Sequence, residues 1–125
     1  MRIVIALVEN GLVYPQENYY SPQHGVTHYL YGGVNPINNF VHDGVLRRTA
    51  TDLFGNGLNA SEQIKNNTVE IPFDIPLSGL VYGGTGYTAI AANSAIVAFV
   101  MDASGTGNGV YNVQYAPVGT NKDFD

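Results

Sequence analysis

Two short apolar runs, within Arg2–Val8 and Ser94–Met101, constrain this chain more than any other feature of its sequence. Neither alternates with polar residues, so each reads as a strand covered on both faces, with Ser94–Met101 the expected central strand. The rest of the chain shares the bias. Val and Ile together number 22 against eight Leu, and β-branched side chains suit a pleated, half-buried surface. Helical periodicity is scarce. At 125 residues the chain is the size of one ordinary domain, read as 1–120 with a polar tail at 121–125.

Turn residues punctuate the strands. Asn10-Gly11 lies between apolar flanks and suits a type I′ turn, which predicts that Leu12–Tyr14 returns antiparallel to the first strand until Pro15. Val26–Tyr31 can form a strand, and Phe40–Arg48 a short one interrupted near Asp43-Gly44. Asn59–Asn66 is the one helical turn expected, with Asn59 as cap and Glu62 three residues on. From Thr68 to Leu77 the odd positions Val69, Ile71, Phe73, Ile75 and Leu77 are apolar and the even ones are not. Strict alternation predicts a strand, and Pro72 and Pro76 confine it to a sheet edge. Gly79–Tyr82 and Tyr87–Ala92 flank a glycine-rich turn, and Val110–Ala116 closes the fold. The sum is an all-β antiparallel sandwich, jelly-roll or immunoglobulin-like, of seven or eight short strands.

Composition removes several chemistries. Five basic and ten acidic residues give a net charge of −5, without the basic stripe that a nucleic-acid partner requires. Cysteine is absent, so there is no disulfide, thiolate metal site or cysteine nucleophile. No apolar stretch approaches the roughly 20 residues of a helical membrane span, and the six-residue run before Glu9 lacks the pattern of a cleaved signal. The expectation is cytoplasmic synthesis and no membrane partner.

Catalytic and metal motifs are equally thin. His24, His28 and His42 cluster in sequence, but Pro22, Gly25 and Val26-Thr27 argue against a helix that would aim two rings at one zinc ion. In a strand, positions four apart lie about 13 Å from each other. The same spacing separates Glu70 from Asp74, too wide for a carboxylate pair acting on one bond. Asp102 and Asn108 supply only two oxygen ligands for a calcium ion, and the glycine strings at 83–86 and 105–109 open no helix with Lys-Ser/Thr. The chain is expected to be non-enzymatic and to carry no cofactor or metal.

The tyrosines are the candidate contact residues. There are nine, with no Trp, and Tyr14, Tyr19, Tyr20, Tyr29 and Tyr31 crowd the first third. Tyr combines a large apolar face with a hydroxyl at low entropic cost, which suits interfaces and also suits stacking on sugars.

The strings VEIPFDIPLSGLVY (69–82), TAIAANSAIVAFVMD (88–102) and GVYNVQYAP (109–117) resemble, in style, the small jelly-roll structural proteins of virus and phage particles. That resemblance implies a decoration, vertex or spike-base subunit of a virion, a homo-oligomer (trimer or pentamer) docked on a capsid. The alternative is a carbohydrate-binding module or lectin using the tyrosine-rich loops.

Overall fold

The computed structural model describes residues 1–21, 33–103 and 109–123. Nine strands run through them: β1 (Arg2–Glu9), β2 (Leu12–Gln16), β3 (Ile37–His42), β4 (Val45–Thr49), β5 (Asn56–Gly57), β6 (Leu80–Tyr82), β7 (Thr85–Tyr87), β8 (Ser94–Met101) and β9 (Val110–Pro117). Helical structure among the described residues is confined to single 3-10 turns at Ala60–Gln63 and Ala91–Asn93. The protein is all-β, with antiparallel sheets, as its β-branched composition predicts. Its residues form two compact units, one of Met1–Glu9 with Leu46–Asp125 and one of Asn10–Val45.

The larger unit is built on a sheet of order β4-β1-β8-β9, with β5 beside the start of β1. β1 and β8 pair along their whole length, from Arg2 opposite Met101 to Glu9 opposite Ser94. These are the two apolar runs of the sequence, and they occupy the middle of the sheet. Val4, Ile5, Ala6 and Leu7 are buried in succession, so both faces of β1 are covered there. On one face Leu7 packs with Leu80 and Ala89, and Ile75, Leu77, Tyr87, Ile96 and Val118 close around them. The β6–β7 hairpin supplies part of this second layer, giving a small sandwich-like body. Its turn is Gly83-Gly84, both at positive φ (58° and 81°), as a two-residue type I′ connection requires.

Thr68–Leu77 forms no strand, contrary to its alternation. Pro72 and Pro76 have no N–H, which takes two ladder donors from one edge of this stretch and leaves its carbonyls. Those are what the fold uses. Ala89 N–H donates to Leu77 O at 2.8 Å, and Arg48 Nη1 donates to Pro76 O at 3.1 Å. Ile75 and Leu77 still reach the core, whereas Phe73, Glu70 and Asp74 are exposed. The Asn59 turn does form: Glu62 N–H donates to Asn59 O, and the Glu62 carboxylate accepts from Asn59 N–H in return.

β9 ends the sheet, and its outer edge is blunted. Val118 N–H donates to Ser94 O at 2.9 Å, and bonded pairs alternate in an antiparallel ladder. By that alternation Ala116, Gln114 and Asn112 turn their backbone groups toward β8, while Val113 and Tyr115 turn theirs outward. Pro117 also faces outward, where it has no donor to expose. The Val113 N–H is taken by the Asn112 side chain at 2.8 Å. Asn112→Val should therefore free that donor and raise β-propensity on an edge with no charges. We predict greater self-association than wild type in light scattering at equal concentration, and unchanged scattering would remove this role from Asn112.

The smaller unit corrects the predicted Asn10-Gly11 hairpin. β2 pairs with β3, placing Leu12 opposite His42 and Val13 opposite Val41. Two physical reasons exclude β1 as its partner. β1 already has β8 on one edge and β4 and β5 on the other. A type I′ turn also needs positive φ at both central residues, and only Gly11 (74°) has it. Instead, the two chain crossings lace to each other. Gly44 N–H donates to Asn10 Oδ1 at 2.7 Å, and Gly11 N–H donates to Asp43 Oδ1 at 2.8 Å.

Candidate functional site

Most of the polar chemistry buried in the larger unit converges on Glu9, the last residue of β1. Side chains two apart on a strand share a face. Glu9 therefore lies on the Leu7 face and under the second layer, where it is fully buried. A carboxylate there needs partners, because an unpaired buried charge is very costly. It has three. Oε1 accepts from the Tyr87 hydroxyl at 2.8 Å and from Ile90 N–H at 2.9 Å. Oε2 lies 3.2 Å from Arg47 Nε, which is itself almost buried. The two atoms make no hydrogen bond, so the contact holds by the attraction of the two charges.

Arg47 completes the cluster. It reaches from β4, donates through Nη2 to Val81 O at 3.0 Å, and places its guanidinium carbon 5.4 Å from the centre of the Tyr87 ring. Tyr82 stands beside that ring, 5.3 Å between centroids. One carboxylate thus fastens β1, β4, the β6–β7 hairpin and the chain leading to β8. Both of its oxygens face groups of the protein itself, an arrangement suited to holding layers together.

The hydrogen bond to Glu9 raises the Tyr87 pKa above its ordinary 10.0, with burial and the Glu9 charge adding to the rise and Arg47 opposing it. A group whose folded-state pKa is raised contributes stability that is complete below the unfolded value. That stability is lost as pH climbs through the folded one. Tyr87→Phe should accordingly flatten the fall in stability above about pH 10 seen in alkaline urea titrations of the wild type. An identical alkaline limb in both proteins would show that Tyr87 does not set it.

The residues singled out from sequence lie elsewhere. Tyr14 is on β2 and Tyr19-Tyr20 on the turn that follows it, all three exposed in the smaller unit. Tyr29 and Tyr31 fall outside the described residues, as do His24, His28 and the Val26–Tyr31 strand. His42 serves its hairpin: Nε2 is 3.3 Å from Tyr14 O and its ring meets Phe40 edge-on at 4.8 Å. Among the described residues no three His, Cys, Asp or Glu side chains gather as a metal site. Sequence reasoning missed Glu9 and Arg47. The available signal was an acid closing an apolar run, with Arg47-Arg48 the chain's only adjacent basic pair.

Comparison with known proteins alters the functional expectations. The family model for outer membrane protein Omp28 matches residues 1–122. No curated protein and no solved structure matches. The match overturns the likeness to virus and phage particle proteins, and with it the virion location, the capsid assembly and its trimer or pentamer. The sugar-binding alternative finds no support either. The expectation of no membrane partner also falls. It rested on hydropathy, which detects helical spans; no helix among the described residues is long and apolar enough to cross a bilayer, but that leaves other modes of association open. With nearly its whole length matched, the chain belongs to the Omp28 family of outer membrane proteins.

Proposed function

We propose that this chain acts at the outer membrane as a non-catalytic β module, lying against the bilayer rather than spanning it. The observation that carries the reading is the family match across residues 1–122. The sheet supports a peripheral position. Its described strands reach eight residues at most, and the path β4-β1-β8-β9 is open, with β9 at its end. Spanning strands need roughly 9–11 residues, and an open sheet edge is not tolerated in hydrocarbon. The inward-facing Glu9 cluster supports a structural use of the main buried charges. Separation of membranes from the native host tests the proposal. The protein should co-fractionate with outer-membrane markers, and recovery only with the soluble proteins would overturn it.

A further inference from the structure

The tip of one turn in the larger unit is built to expose what a soluble fold usually hides. Leu53 and Phe54 are 64% and 72% exposed, and Phe54 is the most exposed large apolar residue among those described. Their turn is held at both shoulders. Gly55 N–H donates to Asp52 O at 2.8 Å, and Asp52 N–H donates to Asn56 Oδ1 at 3.0 Å. Thr51 Oγ1 accepts from Ile5 N–H at 3.2 Å and donates to Asp52 O. Gly55 sits at φ 82° against the Ile3 carbonyl, and the next residues pair with β1 as β5. The chain is therefore pinned to the centre of the sheet on either side, and its two apolar side chains are carried outward on a fixed support.

Arg2 stands next to this tip. It lines the same shallow hollow as Asp52 and Phe54, and its Cβ lies close to Gly55. It is exposed, and its guanidinium has no hydrogen bond or ion pair in the described structure. An apolar pair flanked by an unengaged arginine matches a phospholipid surface, where acyl chains meet a layer of phosphates. Among the described residues lining that hollow, Asp52 is the one opposing charge.

We propose that the Leu53-Phe54 turn is a membrane-contacting tip, with both side chains entering the interfacial layer of a phospholipid bilayer and Arg2 meeting a headgroup phosphate. This rests on the outer-membrane reading above and names the surface that would make the contact.

The chain has no Trp, so F54W gives a single reporter. Its fold can be checked by far-UV circular dichroism. With protein-free vesicles of phosphatidylethanolamine and some phosphatidylglycerol, the F54W emission should shift to the blue and be quenched by brominated acyl chains. L53S in the same background should weaken the partition about 10-fold, and R2Q about 5-fold. Emission that stays as in water, or that shifts without acyl-chain quenching, would overturn the proposal. So would a shift that appears only when outer-membrane proteins are present in the vesicles, since the tip would then dock on a protein. Fractionation separates the two ideas. Recovery with the outer membrane alongside a silent F54W sinks the tip alone, whereas recovery only in the soluble fraction sinks the location.

Discussion

Glu9→Ala should destabilise the protein by about 3–5 kcal/mol, read as a shifted midpoint in urea, because it strands Arg47 and two other donors. Arg47 Nε loses its counter-charge in a nearly dry site, and the Tyr87 hydroxyl and Ile90 N–H lose their acceptor together. Glu9→Gln should cost less, since its carbonyl oxygen can still accept from Tyr87 and Ile90. Replacing both charges, Glu9→Leu with Arg47→Leu, should recover only the share of the loss that comes from the stranded arginine, because the Tyr87 hydroxyl and Ile90 N–H still lack their acceptor. A loss under about 1 kcal/mol for Glu9→Ala would mean that the layers are held together by their apolar contacts alone.

The second large effect is expected at Gly55. Gly55→Ala should cost about 2–4 kcal/mol, combining the strain of a left-handed residue with a collision. A Cβ built there lies 2.9 Å from Ile3 O and 3.0 Å from Val4 Cγ2, and both belong to the pinned central strand. Gly84→Ala is the matched control: φ is 81°, yet no atom lies within 4 Å of the added carbon. It should lose only about 1 kcal/mol. Equal losses at the two sites would show that backbone conformation, not the close approach to β1, sets the requirement for glycine at 55.

Elements whose signal is local were readable from the sequence. β8 coincides with the predicted Ser94–Met101, and β1 and β9 differ from their predicted spans by a residue. A glycine-rich turn after Tyr82 and the Asn59 turn also follow from local chemistry, although the strand expected over Tyr87–Ala92 runs instead over Thr85–Tyr87, with only Gly83-Gly84 left in the turn. What failed was the choice of partner. Whether Leu12 folds back on β1 depends on whether β1 has a vacant edge, and β8 arrives some ninety residues later to fill one. Thr68–Leu77 has the side-chain rhythm of a strand, but Pro72 and Pro76 remove two donors from one of its edges, and among the described residues it pairs with no strand. Glu9 looked like the polar end of an apolar run. Its role depends on Arg47, Tyr87 and Ile90, which no spacing connects to it. The tyrosines drew attention through crowding, a compositional signal that carries no geometry.

The lacing of Asn10-Gly11 with Asp43-Gly44 has an evolutionary consequence. A loop whose two feet stand side by side is a detour that its host sheet does not sense, so it can lengthen, shrink or be exchanged at little thermodynamic cost. Length changes among relatives should collect between those feet, leaving the β1–β8 pairing untouched. The smaller unit is thus the part of the chain expected to differ most from one relative to the next.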